Sequence, residues 1–263
     1  MKIKNHIDVC YSPALVHLYD VKRQVVVVID VLRATSSMCV GFSFGIEKMY
    51  PVMTVEECER YKRKGLITAA ERHGEKVPGF DLGNSPFGFM NEEFSGRSLA
   101  ITTTNGTIAI HAVKDAKQVA VGAFTNISAL CEWLSRQDSD VLLLCAGWKN
   151  RFNLEDTLFA GAVIQKLRPF FEVESDSAIA AEALYEEAEG RILRFLKNSS
   201  HARRLAHLNI QRDVEFCLLH DLTHVVPVVS GDFLHDLNKG EVKKKAVQIR
   251  RKIIQSTLAL PAV

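Results

Sequence analysis

Apolar residues along the chain form short runs that repeatedly end in polar clusters and alternate with segments of helical spacing. The clearest run is Val25-Val26-Val27-Val28-Ile29. Five β-branched residues in a row predict a strand buried on both faces, as in the middle of a parallel sheet. The run leads straight into Asp30-Val31-Leu32-Arg33-Ala34-Thr35-Ser36-Ser37, and helical spacing follows from Thr35 to Phe44 with Gly45 as its stop. Ahead of it, Ile7, Val9 and Tyr11 alternate as in a short strand at a sheet edge.

The same strand, polar loop and helix recur downstream. Lys48 to Met53 reads as a strand with Pro51 at its edge or end. Thr54 and Glu57 then form a capping box for a helix that stops at Gly65. Leu66 to Ala70 predicts a strand ending at Glu71-Arg72, followed by a long Gly- and Pro-rich loop, His73 to Pro86. Loops of that length are usually functional or mobile. Its end, Asn84-Ser85-Pro86, has the form of a helix start. Strands over Ser98–Thr103, Gln118–Gly122 and Asp140–Cys145 lead to helices over Ile108–Lys114, Ile127–Arg136 and from about Leu154 to Leu167. In the last third, helices are expected over Ser175–Glu189, Ser199–Leu208 and Arg212–Leu219. A strand follows at Val225–Val229, then a basic helix or strand from Lys243 to Gln255. This alternation predicts an α/β fold: layers around a largely parallel or mixed central sheet, with the site at the strand carboxyl ends. A chain of 263 residues suits one such domain over 1–263, or two closely packed halves meeting near residue 170.

Composition narrows the function. With 47% hydrophobic residues a sizeable core is expected, and a net charge of +2 does not argue for nucleic acid. The Lys243-Lys244-Lys245 and Arg250-Arg251-Lys252 runs read as a solvated face. No apolar run approaches the ~20 residues that span a bilayer, and Met1 to His6 lacks a signal peptide's apolar core. The expectation is a cytoplasmic protein with no membrane partner, and a homo-oligomer only by default. The six cysteines have no metal-binding spacing and read as small buried hydrophobes.

Five strand ends carry polar clusters: Asp30/Arg33/Thr35/Ser36, Glu71/Arg72, Thr103/Thr104/Asn105/Thr107, Thr125/Asn126 and Arg151/Glu155/Asp156. If the strands are parallel neighbours, the clusters share one rim. Acids, arginines, hydroxyls and helix N-termini together suit metal-dependent phosphoryl chemistry. Carboxylate oxygens suit Mg²⁺, which keeps several waters, while arginine and backbone N–H groups hold phosphate oxygens. The chain contains no G-x-S-x-G elbow, Walker lysine motif, G-x-G-x-x-G or HExxH pattern.

Asp30-Val31-Leu32-Arg33-Ala34-Thr35, Glu71-Arg72, Gly79-Phe80-Asp81-Leu82-Gly83-Asn84-Ser85-Pro86, Thr103-Thr104-Asn105-Gly106-Thr107 and Leu154-Glu155-Asp156 with Ala160-Gly161 follow in this order. In these motifs the chain resembles the 2-phosphosulfolactate phosphatases, from about residue 25 to Pro227, with softer matches including Asp213 and Cys217. The resemblance implies a Mg²⁺-dependent α/β phosphatase that hydrolyses (2R)-2-phospho-3-sulfolactate to 3-sulfolactate and phosphate, a step of coenzyme M biosynthesis. Two other functions are weighed beside it: a phosphatase for another small phosphorylated hydroxy acid, and a small-anion-binding protein without catalysis.

On this reading Asp30 and Glu71 ligate Mg²⁺ directly or through water, with Glu155 or Asp156 completing the set and Glu71 or Asp30 as general base. Asp81 either ligates metal or braces the loop. Arg33, Arg72 and Arg151 are the candidate anion ligands, with Thr35 hydroxyl beside them. Thr104, Asn105, Gly106 and Thr107 supply further donors or cap the next helix. Asn84 and Ser85 bind or cap, and Asn126 is expected to cap.

Overall fold

The computed structural model describes residues 4–205, 208, 210–238 and 253–255. In chain order the first half contains β1 (Ile7–Cys10), β2 (Val25–Ile29), α1 (Ala34–Ser43), β3 (Lys48–Pro51), α2 (Val55–Arg63), β4 (Ile67–Arg72), β5 (Glu75–Lys76), β6 (Ser98–Thr102) and α3 (Gly106–Ala112). There follow β7 (Gln118–Gly122), α4 (Ile127–Leu134), β8 (Val141–Cys145), α5 (Leu154–Leu167), α6 (Asp176–Ala188), α7 (Ile192–Leu196), α8 (Ser200–Leu205), α9 (Gln211–Cys217), β9 (Pro227–Ser230) and β10 (Phe233–Asp236).

The strands form one mixed sheet in the order β1-β8-β2-β7-β9-β10-β3-β6-β4-β5. β1 lies at an edge, as its short alternating pattern suggests. All five side chains of β2 are buried, in parallel register with β7 and β8. α1, α3 and α5 pack against β2 or its neighbours, so the β-branched run is covered on both faces. α6 lies along α5, where a Cβ on Gly161 would stand 2.1 Å from the Ala181 carbonyl oxygen. A second, smaller core under α2 contains Val52, Cys58, Ala70, Phe80 and Ala100.

The sheet has two parallel blocks, β1-β8-β2-β7 and β3-β6-β4, joined through the β9–β10 hairpin. The three pairings from β7 to β3 are all antiparallel, so the blocks run in opposite senses along the sheet. In a flat sheet their carboxyl ends would lie on opposite edges. The joints at β7–β9 and β10–β3 each have a single paired position, Ala120 with Val228 and Leu234 with Met49. Such sparse joints let the sheet bend. Five strand steps separate β2 from β6, and ordinary twist alone accumulates to about 100–125° over them. The strand ends are thus brought together by curvature and not by parallel adjacency.

Several expected boundaries change. β4 continues past Ala70 to Arg72 and pairs with β5 through His73 and Gly74, both at positive φ, as a two-residue hairpin of primed type requires. The start of the long loop is therefore ordered as a hairpin. Pro86 opens only a 3₁₀ turn, Pro86–Phe89, and Ser85 does not cap it. β3 stops at Pro51, and Pro227 heads β9, a position where a missing N–H is tolerated. β10 has no counterpart in the sequence reading. Of the basic segment expected over Lys243–Gln255, all but the last three residues lie outside the described ones. All six cysteines are free and buried, and burial pushes the Cys10 thiol up to about 11 and Cys58 to about 12. Among the described residues no helix is long and apolar enough to cross a membrane.

Candidate active site

The turn after β2 is closed by its own hydroxyls. Thr35 N–H donates to the Asp30 carbonyl at 3.0 Å, Thr35 Oγ1 accepts from Asp30 N–H at 3.2 Å, and Ser36 Oγ donates to the Val31 carbonyl at 2.8 Å. The Leu32–Arg33 peptide bond in this turn is cis. Thr35 is fully buried and serves the turn. Asp30, also buried, faces the start of α3: a Cβ on Gly106 would meet its Oδ2 at 2.8 Å. The carboxyl ends of β2 and β6, from opposite blocks, meet here.

A continuous chain of hydrogen bonds runs across the same rim. Thr104 donates to Glu71 from its N–H at 3.2 Å and from its hydroxyl at 3.1–3.2 Å, and Gly74 N–H donates to Glu71 Oε1 at 2.5 Å. The Gly74 carbonyl accepts from Arg33 Nη2 at 2.7 Å. Arg33 Nη1 is ion-paired with Asp213 Oδ2, and Asp213 Oδ1 accepts from Ser85 Oγ at 2.9 Å. β6, β4, the hairpin turn, the β2–α1 turn, α9 and the long loop are thereby connected through side chains. Arg33 and Asp213 are only 6% and 7% exposed. Removing one partner of such a buried pair typically costs about 3–5 kcal/mol.

Acids from the start of α5 approach from β8. Asp156 Oδ1 accepts from Val31 N–H at 2.9 Å, while Oδ2 accepts from Gly147 N–H at 3.2 Å and Asn153 Nδ2 at 2.8 Å. Glu155 Oε1 accepts from the same amide at 3.2 Å. Burial first, and then the charges of Asp30 and Glu155, push the Asp156 carboxyl well above the usual carboxylate range. Three acids share a dry corner, and a divalent cation would relieve their repulsion. Among the described residues no group of three or more His, Cys, Asp and Glu side chains is arranged to hold a metal ion, so a cation here would take at most two of these carboxylates and complete its shell with water and substrate. The donor set suits a hard cation held by one or two carboxylates plus water and substrate, which is the habit of Mg²⁺.

Thr103 and Thr107 bond each other reciprocally, with Thr103 N–H to Thr107 Oγ1 at 3.2 Å and Thr107 N–H to Thr103 Oγ1 at 3.1 Å. They shape the start of α3, and Asn105 Oδ1 accepts from Lys149 N–H at 3.1 Å. That contact tethers the β8–α5 loop beside the rim. Within the loop, Gly147 takes φ +63°, and a Cβ there would stand 2.3 Å from the Arg151 carbonyl oxygen, which only glycine avoids. Arg151 is exposed in this loop, and among the described residues no carboxylate pairs with it. Ser37 Oγ donates to the Asn84 carbonyl at 2.9 Å, and buried Asn84 Oδ1 has no partner among the described residues.

Other expected residues stand apart. Strand alternation places Arg72 with Ala70 on the α2 face, opposite Glu71, where it donates to Thr102 Oγ1 at 2.9 Å and to the Glu71 carbonyl at 2.7 Å. Asp81 accepts from Thr68 N–H and Oγ1, both at 2.8 Å, and so braces the loop. Burial works against its ionisation, but the Thr68 bonds and the charges of Lys62 and Lys76 hold its carboxyl below the usual range. Thr68 to Glu71 is about 10 Å of strand, so Asp81 is separated from the other acids. Asn126 does not cap α4. Its Oδ1 accepts from Ala123 N–H at 2.9 Å and its Nδ2 donates to the Val225 carbonyl at 3.0 Å, while Asp221 Oδ1 accepts from Ser128 N–H at 2.8 Å.

Sequence reasoning gave no role to Asp213 or Gly74. The signal for Asp213 was an acid four residues before Cys217, on the face of α9 that is buried.

A family model described as 2-phosphosulpholactate phosphatase matches residues 10–232. Proteins named "probable 2-phosphosulfolactate phosphatase" are similar over nearly their whole length. The one from Thermotoga petrophila is 41% identical over 87% of this chain and 97% of the relative. Those from Caldanaerobacter subterraneus and Synechocystis are 37% and 35% identical, over 79% and 76% of this chain and 88% and 87% of the relatives.

Proposed function

The chain belongs to the 2-phosphosulfolactate phosphatase family, and from that premise we propose that it hydrolyses (2R)-2-phospho-3-sulfolactate to 3-sulfolactate and phosphate, with Mg²⁺ as cofactor, in a step of the coenzyme M biosynthesis type. The observation that carries this reading is Asp30, buried at the end of β2 beside the Glu155 and Asp156 acids and three residues from a buried guanidinium. A cation subsite next to an anion subsite is what a phosphate monoester with further negative charge needs.

Asp30 and Glu155 would hold the ion, and Asp156 ties the turn after Asp30 to the β8–α5 loop by accepting from Val31 N–H and Gly147 N–H. When bound, Mg²⁺ neutralises phosphate charge and lowers the pKa of attached water. Arg33 takes a substrate anion: Asp213 and Gly74 occupy two of its five N–H donors. Exposed Arg151 offers a second cation at the mouth. Glu71 accepts three protein donors, leaving about one of its four acceptor positions for the attacking water. Phosphoryl transfer passes through a loose transition state, so orienting that water matters more than early proton abstraction. The water oxygen bonds phosphorus as the ester P–O bond breaks; of the water's two protons one stays on the phosphate and the other, passed by way of Glu71 and solvent, ends on the leaving oxygen.

The test is phosphate release by purified protein, with and without Mg²⁺, from a panel of phosphate monoesters with and without a sulfonate. Preference for the sulfonated hydroxy acid is expected; equal turnover of its sulfonate-free analogue would remove the substrate assignment, and no Mg²⁺-dependent release would remove the phosphatase reading.

A further inference from the structure

Asp213 lies far along the chain from every motif that defines the rim, yet its carboxylate meets two of them. Oδ2 pairs with Arg33 of the β2–α1 turn and Oδ1 accepts from Ser85 of the long loop at 2.9 Å. The guanidinium is fixed at both ends, by Asp213 at Nη1 and by the Gly74 carbonyl at Nη2, 2.7 Å away. An arginine held at two nitrogens keeps one plane, and its three remaining N–H groups keep fixed directions. Side-chain entropy otherwise lost on binding is removed in advance. The carboxylate also neutralises Arg33, so that a free guanidinium does not sit buried when no substrate is present.

We propose that Asp213 is a positioning residue for substrate binding: it orients Arg33 and the Ser85 loop toward the anion, and so makes affinity depend on α9. The proposal rests on the reading in which Arg33 contacts a substrate anion. It predicts that α9 contributes to KM and not to kcat, because Asp213 touches neither the acids at the start of α5 nor the water-orienting Glu71.

The experiment compares wild type, Asp213→Asn, Asp213→Glu and Ser85→Ala, each confirmed as folded by circular dichroism and thermal melting. Kinetics use (2R)-2-phospho-3-sulfolactate in Mg²⁺, with 3-sulfolactate and inorganic phosphate as product inhibitors. Asp213→Asn should raise KM at least tenfold and leave kcat within threefold, Asp213→Glu should recover part of the loss, and Ser85→Ala should raise KM by a smaller factor. The product whose inhibition weakens in Asp213→Asn identifies the anion that Arg33 holds. A general loosening of the fold would lower kcat and Tm together without sparing either product. If Asp213→Asn fails to fold, Ser85→Ala decides alone, and an unchanged KM there overturns the proposal. Unchanged KM and unchanged inhibition in folded Asp213→Asn also overturn it while leaving the phosphatase reading in place. If wild type hydrolyses none of the panel, the phosphatase reading falls instead. Asp213 is then judged by calorimetric binding of 3-sulfolactate and inorganic phosphate, where equal affinity in wild type and Asp213→Asn, including none in either, overturns it.

Discussion

A methyl group on Gly106 would stand 2.8 Å from Oδ2 of Asp30 and 2.7 Å from Cβ of Ala34. The Ala34 Cβ cannot yield without moving the start of α1, and the Asp30 carboxylate can yield only by turning out of its place. Gly106→Ala is expected to cost about 1–3 kcal/mol by overpacking and to lower kcat at least tenfold. Steady-state kinetics beside a urea melt check this; full activity would mean that the two strand ends tolerate separation.

Asp30→Asn should lower phosphate release by two orders of magnitude or more with the fold intact. Chelation with EDTA should do the same to wild type, reversibly on adding Mg²⁺. A readout independent of turnover is available in the melting temperature. Mg²⁺ should raise the Tm of wild type by relieving the crowding of Asp30, Glu155 and Asp156, and should raise that of Asp30→Asn less. A Tm indifferent to Mg²⁺ in wild type would remove the cation from this corner.

Arg33→Ala and Arg72→Ala should separate cleanly. Arg72 serves the α2 face, so its loss should affect stability and leave KM within about threefold, while Arg33→Ala should raise KM at least tenfold. Equal effects on KM would mean that both guanidinia reach the substrate.

Gly161→Ala reports on packing remote from the rim. A Cβ there would approach the Ala181 carbonyl to 2.1 Å, a backbone atom held within α6. A fall in Tm of about 5 °C or more is expected, with kcat of the folded fraction unchanged.

His220 keeps an exposed edge but is stacked on Phe124 at 4.8 Å, and the partial loss of water on that face holds its imidazole below the ordinary range; Asp221 and Glu189 oppose the shift while Lys166 adds to it. The unfolded chain therefore takes up the proton first as pH falls. Stability from this site is complete above about pH 6.5 and is lost below it. Urea melts of wild type at pH 8 and 5.5 should show a larger loss than those of His220→Phe.

The β2 run, the Thr54–Glu57 capping box and the strand-to-helix turns at Asp30, Thr104 and Glu155 were legible because each is local. A run of β-branched residues, a cap spacing and a polar break depend only on near neighbours. Arg72 lies on the opposite face of β4 from Glu71, which an end of the strand at Ala70 conceals: with β4 carried two residues further, period-two alternation separates the two side chains. Asp213 could not be assigned by local rules, since its partners lie in segments that α9 reaches only after the sheet has bent. The opposed sense of the two parallel blocks was hidden for the same reason. It is set by the pairing of β9 and β10, and neither β7 nor β3 carries a local signal of which strand will lie beside it.

β9 and β10, the last strands along the described chain, occupy the middle of the sheet. A ribosome that has completed β8 has made every other strand among the described residues, yet β7 and β3 each still lack one neighbour. Two open strand edges in an unfinished product invite pairing with other chains. Synthesis therefore passes through its most association-prone stage just before Pro227, and the hairpin that follows closes the sheet like a late keystone. Chains cut short between Cys145 and Pro227 should collect in inclusion bodies, however sound their individual halves.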